Sequence, residues 1–252
     1  DVFKWAERAM AAGRIGRLGF SFHDELILFK EIIDAYDSWA LCLVQYNYMD
    51  SDYQAGTRGI RYAAAKGLAV AVMEPLRGGS LSKPPPEAVA RVWAQAGSGR
   101  SPTEWALLWV WEHPEVSTVL SGMSAFDQLE ENLAIADKSG PGSLTPAETK
   151  LITRARAAFK KLGPIPCTNC GYCLPCKQGV EIPRIFQLYN NGIMYGDMKT
   201  ARFYYRGPGG LKEEQRADYC KECRECEQAC PQKIPVAEWL KKVHAELGPK
   251  SK

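Results

Sequence analysis

The sequence predicts an α/β fold followed by a small, mainly helical domain. Three observations carry that expectation. The first 140 or so residues alternate helical and strand patterns. The strand candidates are near-continuous apolar runs, the mark of a parallel sheet buried on both faces. The remainder is punctuated by Gly, Pro and Cys and is poor in strand signals.

Taken in order, residues 2–12 read as a helix closed at Gly13, and residues 17–21 as a short strand. Phe29, Ile32, Ile33 and Tyr36 follow helical spacing. Residues 40–46 (ALCLVQY) read as a buried strand. Residues 59–66 are helical, with Gly67 at the position where a left-handed residue ends a helix. Residues 68–73 form the next buried strand. Ser101, Pro102 and Glu104 make a capping box with proline at the first helical position, opening a Trp-rich helix. Residues 116–120 are strand-like and residues 124–136 helical. Four strands with outer helices amount to half of a (β/α)8 barrel, which needs about 250 residues when complete.

Gly140, Pro141, Gly142 and Ser143 read as a linker. Thr145 and Glu148 form a second capping box, opening a basic helix that Gly163 and Pro164 stop. The expected organisation is 1–144 for the α/β half-barrel, 145–163 for a connecting helix and 164–252 for the cysteine-rich domain. With few large apolar residues for its length, that last domain is expected to need metal staples.

Eight of the nine cysteines lie in two runs: Cys167, Cys170, Cys173 and Cys176, then Cys220, Cys223, Cys226 and Cys230, with Pro231 following. The second run has the bacterial ferredoxin spacing C-x2-C-x2-C-x3-C-P, whose last cysteine ligates the other cluster in two-cluster proteins. Zinc sites use paired C-x2-C or interleaved His to build one tetrahedron. Triplets at two-residue gaps oversupply such an ion, and no His is interleaved. The spacing therefore points to two [4Fe–4S] clusters. By the ferredoxin crossover, one takes Cys167, Cys170, Cys173 and Cys230, the other Cys220, Cys223, Cys226 and Cys176. Clustered rather than scattered cysteines favour metal ligation over disulfides and a reducing, cytoplasmic setting.

Charge is uneven. From residue 145 onward 19 Lys and Arg face 11 Asp and Glu, net +8, in a chain of net +3. Two oxidised clusters with four thiolates each carry about −4 together and offset half of that excess. No nucleic-acid role is needed to account for the basic tail. No run of about 18 apolar residues exists, so no membrane span is expected.

Several motifs appear in a familiar order: Gly19 to His23 (GFSFH), Gln45 to Asn47 (QYN), Met73 to Leu81 (MEPLRGGSL), and Gly122 to Ser124 with Gln128 to Leu133 (QLEENL). Together they resemble the second half of the aldo/keto reductase barrel, and the tail resembles the ferredoxin-like extension of one subgroup of that family. The resemblance implies a nicotinamide dinucleotide, NAD(P), in the barrel. Ser21 and Gln45 would hold the carboxamide and Met73 would pack on the nicotinamide ring. Pro75, Leu76, Gly78 and Gly79 would cover the pyrophosphate. Gly122, Ser124, Gln128, Glu131 and Asn132 would line the adenosine end.

Phe22 replaces the family's usual Asn, removing one hydrogen-bonding side chain. Met73 replaces an aromatic, so no π platform is offered. Gly122 and Gln128 lack the charge that meets a 2′-phosphate in NADP-preferring members. The family's catalytic Asp, Tyr, Lys and His lie in the barrel half that these residues do not match, so no catalytic residue is assigned. An oligomer or an upstream half-barrel would be needed to complete the fold.

The remaining chemistry-bearing residues have plainer readings. His23 is a surface or capping residue, and His113 and His244 are solvated. Cys42 is a small core residue. Trp105, Trp109 and Trp111 pack a helix. Tyr195, Phe203, Tyr204 and Tyr205 cover the clusters rather than stack on nucleic acid. Two functions follow. One is an iron–sulfur oxidoreductase acting on a small carbonyl or alcohol substrate, with electrons relayed through the clusters to a redox partner protein. The alternative is a non-catalytic electron-transfer or redox-sensing module on a degenerate barrel.

Overall fold

The structure is a computed structural model and describes residues 2–167, 169 and 171–249. The chain divides into two compact units: residues 1–85 with 90–156, and residues 86–89 with 157–252.

Through residue 136 the chain follows the order α1 (Val2–Ala11), β1 (Leu18–Phe22), α2 (Leu26–Asp34), β2 (Trp39–Gln45), α3 (Gly56–Ala65), β3 (Ala69–Met73), α4 (Glu87–Trp93), α5 (Pro102–Trp111), β4 (Val116–Val119) and α6 (Phe126–Ala136), all in the first unit except the start of α4. The four strands make one parallel sheet in the order β1-β2-β3-β4. Strand alternation sends Phe22, Cys42, Val44, Val70 and Val72 into one core with Phe29 and Ile33 of α2, Ile60 and Ala63 of α3, and Val110 of α5. Each large side chain buried there contributes about 1.5–3 kcal/mol relative to exposure. Gly59 permits the close approach of α2 and α3, because a Cβ there would lie 2.7 Å from Ala55 Cβ and 3.2 Å from the Phe29 ring.

The other sheet face carries Leu41, Leu43, Ala71 and Met73, with Leu41 38% exposed. The sheet is open, β1 and β4 being its edges. This accounts for strands that read as apolar on both faces while, among the described residues, helices pack the Val44 and Val70 face.

Of the two expected capping boxes, one is half formed and one complete. Ser101 Oγ accepts the Glu104 N–H at 3.1 Å, but the Glu104 carboxylate pairs with Lys138 at 2.9 Å and Arg100 at 3.7 Å. Thr145 and Glu148 form both halves of their box, at 2.8 and 3.2 Å. They open α7 (Pro146–Leu162), and the division between the units falls within this helix, after Arg156. Helix α4, after the prolines at 84–86, has no counterpart in the sequence reading.

The second unit contains α8 (Ile182–Met194), α9 (Met198–Arg206), α10 (Glu225–Ala229) and α11 (Val236–Leu247). Its core is larger than its composition implied. Val180, Ile182, Ile185, Phe186, Leu188, Tyr205, Leu240, Val243 and Leu247 pack together, with cysteines of both runs against them. Apolar positions on α8 and α11 are spaced to fill one face each, so the helices of this unit have packing of their own besides any cluster.

Candidate iron–sulfur and nucleotide sites

The first cysteine run lies between α7 and α8. Asn169 (φ 59°) and Gly171 (φ 77°) take left-handed backbone there and curl the loop back on itself. The second run follows a 3-10 turn at Ala217–Tyr219, and Glu222 and Arg224 repeat the left-handed geometry. Cys226 sits on α10, and Cys230 caps its end.

A cavity of about 210 Å³ is walled by Cys176, Cys220, Cys223 and Cys226, with Cys173 also reaching it and Leu174, Val180, Ile182 and Leu240 supplying apolar surface. A smaller apolar cleft is walled by Cys167, Cys173 and Cys230 against Ile182, Phe186, Ile234 and Val236. Cys176 thus lines a cavity with the second run, and Cys230 a cleft with the first. Cys170 lies outside the described residues.

Cys42, Cys176, Cys220, Cys223, Cys226 and Cys230 are free thiols. No three His, Cys, Asp or Glu side chains among the described residues converge closely enough to hold a lone metal ion. A cysteine-walled cavity has the room that a cube, with thiolates at its corners, would need.

The loops are tied in place by bonds to the helical core. The Glu222 N–H donates to Cys220 Sγ at 3.4 Å, the kind of amide–sulfur bond that tunes a cluster's potential. Lys177 pairs with Glu225 at 2.7 Å and Lys241 with Glu222 at 2.8 Å. Glu227 accepts the Ala237 N–H at the start of α11, 3.0 Å away. Tyr205 Oη accepts the Ala217 N–H at 2.9 Å and bonds His244 Nδ1 at 2.9 Å, so His244 is a partnered residue and not a solvated one. Burial, followed by the charges of Cys220, Glu227, Cys223 and Cys173, pushes the Cys226 thiol up to about 11. That thiol gives up its proton when iron binds it, since ligation requires the thiolate.

In the first unit, a cavity of about 730 Å³ opens at the carboxyl ends of β3 and β4, where parallel α/β sheets bind ligands. Pro75, Leu76, Gly78, Gly122, Gln128, Glu131 and Asn132 line it, together with Glu74, Gly79, Lys83, Thr103, Ser121 and Met123. Gln128 Oε1 accepts the Ser124 and Ala125 N–H groups at 3.0 and 3.3 Å. Asn132 Nδ2 donates to Ser121 Oγ at 2.9 Å and Met123 Sδ at 3.3 Å. Two side chains of α6 therefore shape the Ser121–Ala125 loop.

Ser21, Gln45, Met73 and Ser124 are not walls of this cavity among the described residues. Ser21 is exposed at the end of β1, and Gln45 pairs in register with Met73. The Gln45 amide donates to Asp50 at 3.2 Å. Phe22 faces the opposite side of the sheet, its ring 4.9 Å from that of Phe29. Phe22 is thus a core residue.

His113 is likewise no solvated residue: its Nδ1 lies 2.9 Å from the Trp109 carbonyl and its Nε2 3.0 Å from Tyr46 Oη. His23 is exposed. Cys42 is fully buried, and burial pushes its thiol up to about 12. Trp105 stacks on Trp93 at 4.7 Å and Trp109 packs on Tyr46. The residues that sequence reading missed are Asp50, Arg77 and Lys83. The first two are 27 positions apart and show no local pattern. Lys83 follows the Met73–Leu81 motif, and its presence in the cavity wall had only that proximity as a signal.

The aldo/keto reductase family matches residues 1–140, and the 4Fe-4S dicluster domain matches residues 166–235. No curated protein matches the chain. Solved structures that are similar include the holo form of an aldo-keto reductase from Bacillus halodurans (23% identity, 59% of this chain and 53% of that one, TM-score 0.49). Its apo form aligns over 59% and 54% at the same identity and score. An aldo-keto reductase from Klebsiella pneumoniae in complex with NADPH aligns at 20% identity over 59% and 50%, TM-score 0.45. The chain spans about half the length of these structures. Four parallel strands with outer helices, a cavity at their carboxyl ends and a cysteine-rich iron–sulfur segment thus stand in one polypeptide, and the chain belongs to the aldo/keto reductase family.

Proposed function

We propose that this chain is part of an iron–sulfur oxidoreductase of aldo/keto reductase type. In this reading it holds two [4Fe–4S] clusters, and its barrel half binds a nicotinamide dinucleotide for carbonyl or alcohol redox. The observation that carries the reading is the sorting of the cysteines. Cys176, Cys220, Cys223 and Cys226 share one cavity, while Cys167 and Cys230 share another, and Cys173 lies between the two and borders both. Bound clusters would supply one-electron transfer at low potential. The chain's own part is to provide the thiolates, exclude water with Val180, Ile182, Phe186 and Leu240, and aim the Glu222 amide at Cys220.

The 730 Å³ cavity supports the nucleotide half of the reading. Its volume falls in the range of cofactor sites. Hydride moves two electrons and each cluster one, so joining them requires a two-to-one converter such as a flavin. The open sheet edges β1 and β4 and the uncovered Leu41 face suit a further α/β half, upstream in the same polypeptide or from a second copy. An upstream half would bring the catalytic residues, whereas a second copy would close the sheet edges without supplying them. A redox partner protein and a small carbonyl compound are the expected partners, and a reducing cytoplasm suits thiolate-held clusters.

A second reading, a redox module without catalysis, is favoured by Gln45, whose amide is already committed to Asp50. Anaerobic titration of the full-length protein with NADH, followed by fluorescence, separates the two. Saturable binding supports the first reading. No binding at millimolar NADH removes it.

A further inference from the structure

Asp50 stands behind the nucleotide cavity. Its side chain is 14% exposed, and its Oδ2 accepts three donors: Arg77 Nε at 2.8 Å, Asn47 Nδ2 at 3.1 Å and Gln45 Nε2 at 3.2 Å. Asn47, fully buried, also donates to the Glu74 carbonyl at 3.2 Å and accepts the Met49 and Asp50 N–H groups at 3.0 Å. The loop after β2 is thereby stitched to the loop after β3.

That second loop is the part of the cavity wall made by Glu74, Pro75, Leu76, Gly78 and Gly79. Its backbone is left-handed at Glu74 (φ 54°), Arg77 (φ 52°), Gly78 (φ 60°) and Gly79 (φ 80°). Two of these are not glycine. Such strain persists only where surrounding bonds over-determine it, and it gathers at ligand clamps. Arg77 is the residue between two wall residues, Leu76 and Gly78, and its ion pair with Asp50 fixes how they face the cavity. A partly buried ion pair is a poor device for stability alone, since apolar packing of the same volume does as well. Its directional fork suits the holding of a shape.

We propose that Asp50 is a positioning residue for dinucleotide binding: through Arg77 and Gln45 it holds the Glu74–Gly79 loop in the form that accepts the cofactor. The proposal rests on the nucleotide reading of the cavity. It gives Gln45 a role that does not require its amide to reach the ligand.

The test is NADH titration of the full-length, cluster-loaded protein, wild type against Asp50→Asn, Asp50→Ala, Arg77→Ala and Arg77→Lys, with thermal melting and iron content as controls. Asp50→Ala and Arg77→Ala are expected to weaken binding by about tenfold or more, because a misplaced wall costs affinity steeply. Asp50→Asn keeps a neutral acceptor and loses less, and Arg77→Lys recovers part of the loss of Arg77→Ala. Iron content stays at the wild-type value, while the alanine variants melt lower because each leaves a largely buried charge unpaired, so the titrations are run below the lowest melting temperature. If Asp50→Ala fails to fold, the order of Asp50→Asn and the two Arg77 variants decides the question. NADH affinity unchanged in the variants overturns the latch and leaves the nucleotide reading standing. No NADH binding by the wild type removes that reading, and the latch with it.

Discussion

Tyr46 and His113 meet hydroxyl to imidazole at 3.0 Å, although 67 positions separate them in the chain. His113 Nδ1 donates to the Trp109 carbonyl at 2.9 Å, which leaves Nε2 as the acceptor of the Tyr46 hydroxyl proton. Tyr46 Oη also lies 2.7 Å from Thr57 Oγ1, whose one proton is shared with the Ser51 carbonyl at 3.1 Å. A neutral His113 gives the Tyr46 hydroxyl its acceptor. Burial holds the imidazole below its ordinary value of 6.5.

The pH dependence follows from that shift. Above 6.5 the folded and unfolded chains both carry neutral imidazole, and the stability associated with this group is fully present. As pH falls below 6.5 the unfolded chain takes up a proton that the folded one resists, so stability declines until the lowered folded value is passed. Melting of the protein between pH 8 and pH 5, followed by tryptophan fluorescence, should show this decline, and His113→Gln should flatten it. Tyr46→Phe should cost about 1–3 kcal/mol, the penalty for leaving a buried partner unsatisfied.

Glu112 fastens the Gly140–Ser143 segment. Its carboxylate accepts the Gly142 N–H at 2.9 Å, the Leu144 N–H at 3.0 Å and the Ser143 hydroxyl at 3.3 Å. Glu112→Ala should cost about 1.5–3 kcal/mol, as expected for bonds to a charged group. It should also raise the rate of limited proteolysis within residues 140–144 severalfold. An unchanged cleavage rate would show that these bonds do not restrain the segment.

The apolar core of the second unit makes a distinction between losing clusters and losing fold. Phe186→Ala, at a side chain 1% exposed, should cost about 3–5 kcal/mol. Iron removal by an anaerobic chelator should loosen the cysteine loops yet leave most of the helicity of α8, α9 and α11. Far-UV circular dichroism checks this, and complete loss of helicity in that unit would mean that ligation alone holds it.

Cysteine exchange between the runs is testable ligand by ligand. Cys176→Ser should disturb the same cluster as Cys220→Ser, while Cys230→Ser should disturb the other. Iron should fall from about eight to about four per chain in each case. Electron paramagnetic resonance of the reduced protein separates the two signals. Cys176→Ser and Cys230→Ser removing the same signal would contradict the exchange.

Much of this was legible in the sequence for physical reasons. β2 and β3 announced themselves because buried parallel strands must be apolar throughout, and α5 because Ser101 and Pro102 mark a helix start. The cysteine runs were legible because ligand spacing is local. What stayed hidden was non-local. Nothing near Asp50 names Arg77, and nothing near His113 names Tyr46. Phe22 looked like a lost polar contact until strand alternation turned it into the core. The packing of α8 against α9 and α11 was masked by the glycines, prolines and cysteines around those helices.

The most direct test of the account is metal and sulfide analysis of protein purified without oxygen. Two cubes predict about eight iron and about eight acid-labile sulfide per chain, with absorbance near 400 nm that bleaches under dithionite. Stoichiometric zinc with negligible iron and sulfide would contradict it.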